Sequence, residues 1–430
     1  MEKNLPFFSV IIPAKNRAEY MVHTLKTCMI QDYPNFEIIV SDDCSDDNSV
    51  EVIEELAKRD SRIKLFAHKE HLGMRDNFEF ALSQVKPGYV MALGGDDGLT
   101  PGCIWRMYHI LQQTGKQLLT WTPAGFTYSD DLDENKNIFY IRRRKKHDVK
   151  IIKSQDFLDK LTQTFIYQVD ECPMFYMKGV ASTELVERVK SRTSDHCFYY
   201  CPTPDGFSGV VLAGEVEDYA FTTEPLSIIG NTVKSQGKNY MRNDEKSKAE
   251  AKQFFNDNIR RTMHKELASQ QYSPVVTLMA ADYLLTARDL PGWPGKINNF
   301  SFENLIRKTF ENIARRPFET DVLVRELNIL KEIAIQHDLL PLFNSLLEIT
   351  KQKRSTASQE SRYGFMITHS IRFNGAEIGI YNIFDASLAI PVIDNIYRWW
   401  KFKRVFQMIK NSASFLINSK KHKNIDLPKV

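Results

Sequence analysis

The sequence predicts an α/β fold, with a mostly parallel sheet over residues 1–240 and an α-helical region after it. Three observations predict this. Through the first hundred positions, β-rich apolar runs alternate with amphipathic stretches of about ten to fourteen residues, the pattern of βαβ units. Beyond about residue 244 the alternation gives way to long helical periodicities. Each of the first four strand patterns also ends in a polar turn, three of them acidic. Parallel sheets carry their chemistry at those carboxyl ends.

The elements follow in order. "FFSVII" (7–12) is a strand ended by Pro13, and residues 18–30 are a helix with Met21, Leu25, Cys28 and Met29 on one face. "FEIIVS" (36–41) is the second strand, and "SVEVIEELAKR" (49–59) a helix capped from Asn48 or Ser49. "RIKLFAH", "RDNFEFALSQV" and "YVMALG" supply the third strand, third helix and fourth strand. From about 115 to 240 the pattern loosens: "QLLTW" is a strand, "IFYIRRRKKHD" follows a polar turn, and 203–214 is a loop opening a short helix. "EPLSIIGNTVKSQG" (224–237) is a strand with a Gly/Ser loop, which is a candidate lid over a diphosphate through Lys234 and Ser235. Helices are expected at 244–270, 274–288, 302–314, 319–337 and 339–350, with "DLPGWPG" the clearest break. "KQKRSTASQESR" (351–362) reads as a polar linker, which gives three segments: 1–240, 241–350 and 351–430.

Composition bounds the function. At 430 residues, with 43% hydrophobic and 26% charged positions, the chain can bury a large core. A net charge of +3 does not point to nucleic acid. Its distribution is uneven, since Asn395–Ile425 holds eight Lys/Arg and no Asp/Glu, leaving about −5 on the remainder. The six cysteines are scattered, and no second pair completes a zinc site with His196, Cys197 and Cys201. Free thiols in a reducing cytoplasm are expected. No stretch matches a signal peptide, and none reaches the roughly 18 apolar residues of a spanning helix.

The turns after the strands are "PAKNR", "DDCSDD", "KEHLGMRDN" and "GGDDG", all on one rim. Adjacent carboxylates such as Asp96 and Asp97 repel unless a cation lies between them and a substrate. Mg²⁺ or Mn²⁺, which take oxygen ligands and share phosphates, suit them. Taken together, "SVIIPAKNR", "IIVSDDCSDD", "GMRDN" and "MALGGDDGLTP" resemble the family 2 glycosyltransferases over about residues 6–240. The resemblance implies the GT-A fold, a nucleotide-diphospho-sugar transferase sandwich, and an inverting, hexosyl-type transferase using Mn²⁺ or Mg²⁺. It places Pro13 and its neighbours, Asn16 among them, near the base of a nucleotide. Asp43 would accept a hydrogen bond from that base, Asp42 would orient the loop, and Arg75 or its vicinity would touch the nucleotide. Asp96 falls near the ribose and Asp97 is the metal ligand. Asp205 in "TPDGFSG" falls at the catalytic base, with Glu215, Glu217 and Asp218 as competitors. The sequence departs from a plain DxD motif, having Gly95-Asp96-Asp97, so a single carboxylate ligating the ion directly is expected.

The partners implied are a nucleotide-sugar donor, with a uridine diphosphate sugar favoured, and a glycan or lipid-linked acceptor of bacterial-type envelope polysaccharide assembly. Nucleic acid is not among them, and the oligomeric state is left open. A sugar nucleotidyltransferase would carry a Gly-rich loop after the first strand, which "PAKNR" is not. A catalytically inactive sugar-binding scaffold would not need all of Asp43, Asp96, Asp97 and Asp205. Residues 392–423 read as a basic amphipathic segment, with Trp399, Phe402 and Phe406 beside Arg398, Lys401 and Arg404. Such a segment either lies on anionic lipid at the inner face of the cytoplasmic membrane or packs on protein. Elsewhere His68 and His71 read as loop residues, Trp121 as core, Arg142–Lys146 as a solvated edge, and "CPMFYMKG" as core or acceptor-cleft wall.

Overall fold

A computed structural model describes residues 5–129, 136–142, 148–234, 245–258, 262–314, 320–356 and 370–393. The chain divides into two units, Met1–Ser387 and Leu388–Val430. The basic segment proposed at 392–423 lies, apart from its first two positions, outside the described residues.

The first half builds four parallel strands with helices between them: β1 (Phe8–Ala14), α1 (Ala18–Met29), β2 (Phe36–Asp42), α2 (Ser49–Ala57), β3 (Ile63–Ala67), α3 (Met74–Ser83) and β4 (Tyr89–Ala92). Then come β5 (Gly98–Leu99), α4 (Cys103–Thr114), β6 (Leu118–Trp121), β7 (Ala124–Thr127), β8 (Ile138–Arg142), β9 (Val149–Lys153) and α5 (Ser154–Thr164). The sandwich continues through β10 (Gly179–Ser182), α6 (Thr183–Lys190), α7 (Asp205–Gly214), β11 (Asp218–Thr222) and β12 (Ser227–Asn231). The helical region holds α8 (Glu245–Asp257), α9 (Val276–Arg288), α10 (Phe302–Ala314), α11 (Thr320–Gln336) and α12 (Leu340–Thr356), and β13 (Ser370–Asn374) follows it.

The main sheet has the order β3-β2-β1-β4-β10-β6-β11-β9, in which all strands but β10 and β9 point the same way. Strand β1 shows why its pattern is continuously apolar: Val10 and Ile12 enter the core on one face and Ile11 the core on the other. That second core runs on without interruption through α7 and α9 to Leu305, Ile329 and Leu330. The helical region is thus packed into the same unit as the sandwich.

Three sequence expectations change. Strand β1 runs through Pro13 to Ala14, paired with β2 as far as Asp42. Ile11 faces β4 through its carbonyl and Ala14 faces β2, so alternation turns Pro13 toward the β4 side. There the ladder has already stopped at Ala92, and the missing N–H costs nothing. The helix expected over 244–270 ends at Asp257, because Thr262 and Gln271 pair across a tight loop whose Ala268 and Ser269 have positive φ. The polar linker is helical in its first part, since α12 continues to Thr356.

A second sheet, β13-β8-β7-β12-β5, was not anticipated. Its edge strand β13 pairs with β8 from Ser370↔Arg142 to Asn374↔Ile138. Beyond it Ile383 is fully buried and Ser387 donates its hydroxyl to the Leu99 carbonyl at 2.7 Å. A Cβ placed on Gly98 would lie 3.0 Å from Ile383, directly behind the acidic turn. Ile383→Ala is expected to cost roughly 2–5 kcal/mol in urea unfolding, the range for such truncations in a packed core. A change under about 1 kcal/mol would place this segment outside the core.

A pH effect also arises in the packing. Asp282 on α9 is buried and accepts a hydrogen bond from the His264 N–H at 2.7 Å, and burial pushes its carboxyl up to about 7. The folded state therefore holds a proton that the unfolded chain releases near its ordinary carboxylate value, so this contribution to stability is lost as pH rises from about 4 to about 7. Asp282→Asn keeps an acceptor without the charge. Its melting temperature relative to the parent should climb across that window and level off above it. A difference independent of pH would show that Asp282 ionises normally.

Candidate active site

The acidic turn after β4 is held from two sides. Asp97, almost fully buried, accepts the Gly94 N–H on Oδ2 and the Gly230 N–H on Oδ1, both at 2.9 Å. Asp96 accepts the Thr232 hydroxyl on Oδ2 at 3.0 Å. Gly230 and Thr232 belong to β12 and the residue just past it, so a strand more than a hundred positions away clamps the pair. A Cβ on Gly230 would fall 1.8 Å from the Asp96 carbonyl oxygen, a contact only glycine permits. Burial first, and then the charge of Asp96, push the Asp97 carboxyl up to about 8.

That electrostatic state fits a divalent cation. The donor set is all oxygen, and each Asp97 oxygen keeps a lone pair beyond the N–H it accepts. The repulsion that raises its proton affinity is the repulsion a cation would cancel. Among the described residues no group of three or more His, Cys, Asp or Glu could hold a metal ion. The protein would therefore supply one or two carboxylates and leave the other positions to phosphate oxygens and water, as hard octahedral cations prefer.

The turn after β1 faces this pair. Asn16, with φ 54°, donates its N–H to Ser45 Oγ and accepts the Asp46 N–H on its side chain, each at 2.8 Å. Asp42 accepts the Ser45 N–H and hydroxyl, which ties the "DDCSDD" loop to the end of β2. Asp43 is buried and accepts the Leu72 and Gly73 N–H groups, and His71 Nδ1 lies 2.8 Å from its Oδ2. Pro13 is buried within β1 opposite Ser41. Asn16, Asp42 and Asp43 thus meet along one rim. Arg75 is taken up elsewhere: its guanidinium bonds the Tyr199 carbonyl, Asp195 and Cys197 Sγ, anchoring the 195–199 loop. Cys197 is accounted for by that contact and by Asp195.

Asp205 starts α7. Its Oδ2 accepts the Tyr167 hydroxyl at 3.1 Å, while Oδ1 is buried with no hydrogen-bond partner. Burial raises its carboxyl above the usual range, against the lowering effects of hydrogen bonds from the Gly206 N–H, the Tyr167 hydroxyl and the Thr203 hydroxyl. Orphaned buried oxygens are rare in folded proteins, and an unpartnered carboxylate oxygen is open to a ligand or a proton. Of the three competitors, Glu215 pairs with Arg192 and Asp218 with Lys116, whereas Glu217 contributes its backbone carbonyl to Ser154. Tyr176, from the "CPMFYMKG" stretch, lies within electrostatic reach of Asp96, Asp97 and Asp205 alike, between the turn and α7.

Sequence reasoning passed over Arg17, Gly230 and Thr232, and met Lys234 and His71 only as lid and loop residues. Arg17 donates to the carbonyls of Lys15 and Lys234 and lowers the proton affinity of Asp97. Lys234 returns its ammonium to the Asn16 carbonyl at 2.8 Å, joining the first and last loops of the site; Ser235 lies outside the described residues. His71 touches both Asp43 and Asp257 of α8. A glycine inside the "SIIGN" strand was the available sign of a close approach. Among the described residues no helix is long and apolar enough to cross a membrane.

Residues 9–169 match the family model described as glycosyl transferase family 2. Among curated proteins, the chain is 37% identical over 101 residues to a GalNAc(5)-diNAcBac-PP-undecaprenol beta-1,3-glucosyltransferase of Campylobacter jejuni, covering 23% of this chain and 33% of that one. It is 33% identical over 144 residues to the putative teichuronic acid biosynthesis glycosyltransferase TuaG of Bacillus subtilis, covering 30% and 57%. The chain thus spans between a third and a little over half of the length of the first curated relatives it matches. Among solved structures, it is 14% identical to S. aureus TarS in complex with UDP-GlcNAc, with a TM-score of 0.43 over 80% of this chain and 92% of that one. The mannosyltransferase PcManGT from Pyrobaculum calidifontis, solved with GDP-Man and Mn²⁺, is 15% identical, with a TM-score of 0.37 over 82% and 88%. The family model and the strand order together identify the sandwich as GT-A.

Proposed function

The chain belongs, over residues 9–169, to glycosyl transferase family 2, and from that premise we propose that it moves a hexosyl group from a nucleoside-diphosphate sugar to an acceptor hydroxyl, with inversion. The observation that carries this reading is a division of carboxylates. Asp96 and Asp97 form a clamped pair that fits a cation, and Asp205 stands apart with one unpartnered oxygen. Asp97 is the direct ligand of Mn²⁺ or Mg²⁺ and Asp96 lies toward the ribose. When bound, the ion supplies Lewis-acid stabilisation of the departing diphosphate. Arg17 and Lys234 add positive charge on the same side. Asp43 and the "PAKNR" turn receive the base, and a uridine donor is favoured because uracil presents a single N–H to a carboxylate already engaged by two backbone N–H groups. Asp205 takes the proton of the attacking hydroxyl, so one carboxylate on the face opposite the leaving group is enough for a single displacement.

The acceptor we propose is a glycan or lipid-linked glycan of bacterial-type envelope polysaccharide assembly. The basic sequence of 392–423 would bring the enzyme to anionic lipid on the inner face of the membrane. Incubating the purified chain with a panel of nucleotide sugars and reading nucleoside diphosphate release tests the function. Release should need Mn²⁺ or Mg²⁺ and stop in EDTA, with uridine diphosphate sugars preferred. Folded protein that turns over no donor under any metal would favour the scaffold instead.

A further inference from the structure

We infer that Tyr167 is a positioning residue of the transfer reaction: its hydroxyl pins one oxygen of Asp205 and leaves the other aimed at the acceptor. The inference rests on Asp205 as the base.

The geometry is specific. The Tyr167 hydroxyl donates to Asp205 Oδ2 at 3.1 Å, and Oδ1 is buried with no partner. The Tyr167 ring is itself buried and meets the Tyr283 ring of α9 edge-on, with centroids 5.5 Å apart. The Tyr283 hydroxyl reaches Thr203 Oγ1 at 2.5 Å, and Tyr272 reaches the same oxygen at 3.2 Å. A Cβ on Gly206 would lie 2.2 Å from Tyr283 and 2.9 Å from Tyr167, so only glycine lets α7 begin beneath both rings. The helical region therefore braces the start of α7 through Tyr272 and Tyr283, and Tyr167 is the tyrosine hydrogen-bonded to the carboxylate.

A carboxylate free to rotate offers either oxygen to any donor. A donor fixed on Oδ2 stops that rotation and holds Oδ1 in one direction, which is worth most when the proton must leave as a bond forms. In the step itself the acceptor oxygen bonds the anomeric carbon and its proton passes to Asp205 Oδ1. The anomeric carbon–oxygen bond breaks, and its electron pair leaves with the nucleoside diphosphate.

The groups facing Asp205 are Tyr167, Tyr176, Tyr272, Tyr283 and Cys172. Burial raises all five, Cys172 to about 12. None of these five ionises near neutral pH, and saturating Mn²⁺ would keep Asp97 ionised, so a shift of the acid limb on removing the Tyr167 hydroxyl reports Asp205. A hydrogen bond from Tyr167 favours the ionised form, and its loss must move that limb upward.

The test measures kcat and donor KM from pH 5 to 9 for the full chain and for Tyr167→Phe, which keeps the ring and its packing. The inference predicts that kcat falls about tenfold or more at neutral pH, that the acid limb shifts to higher pH, and that donor KM holds. An unmoved limb, whether kcat falls uniformly or not at all, would overturn the inference and leave Tyr167 a packing residue. Asp205→Asn run alongside separates the two claims: if it retains turnover, the base assignment itself fails, and the inference with it.

Discussion

Asp97→Asn is expected to abolish sugar transfer and leave the protein folded. The two halves of this result have separate causes. Burial and then the charge of Asp96 raise the Asp97 carboxyl, so removing its charge costs the cation-free fold little. Asparagine is close to isosteric with that acid, and it still accepts one of the two N–H groups that Gly94 and Gly230 present. Thermal unfolding should shift by only a few degrees. Transfer behaves otherwise, because an amide cannot take part in charge neutralisation of a bound cation. Losing that interaction removes several kcal/mol of leaving-group stabilisation, and turnover should drop roughly 10³-fold or more. Nucleoside diphosphate release under saturating donor, with and without EDTA, measures it. Undiminished release from the variant, or from the parent in EDTA, would refute the metal assignment.

Asp205→Asn is expected to remove the proposed proton acceptor and leave donor binding in place. The variant keeps an oxygen for the Tyr167 hydroxyl, so α7 should start as before. Turnover should fall roughly 10²–10⁴-fold, the usual contribution of a general base, while donor affinity changes little. Because burial raises the Asp205 carboxyl, the parent should lose activity at a pH above the ordinary carboxylate range as the base protonates. Glu217→Gln and Asp218→Asn serve as comparisons, Asp218 being already paired with Lys116. If one of these stops turnover and Asp205→Asn does not, the base lies on the far side of α7.

The contrast between what sequence discloses and what it hides is physical. Strands β1, β2 and β4 were legible because they are largely buried and read as β-rich apolar runs between turn residues, and the edge strand β3, though half-exposed, was legible from its place in the βαβ alternation. Their ends were legible too, since βαβ connectivity forces the four turns onto one rim. Strands β5 and β10 were not, being two and four residues long and defined only by pairing with distant partners. The Asp96–Asp97 pair stood out by composition, yet its clamp at Gly230 and Thr232 is a tertiary contact that no local period encodes. Arg75, at a suggestive position in the sequence, has contacts that no local pattern shows, since its guanidinium bonds the 195–199 loop. Strand β13 and Ile383 lie in the 351–430 segment that was read as a linker and C-terminal segment, although they complete the second sheet and back the acidic turn.

The central claim is that Asp96 and Asp97 hold a cation for the donor and that Asp205 does the proton chemistry. Isothermal titration of uridine diphosphate into the parent, Asp97→Asn and Asp205→Asn, each with Mn²⁺ and with EDTA, tests it most directly. The account predicts Mn²⁺-dependent binding to the parent, the same affinity in Asp205→Asn, and loss of the Mn²⁺-dependent part in Asp97→Asn. Binding indifferent to Mn²⁺ in the parent, or equal Mn²⁺ dependence in Asp97→Asn, would contradict it.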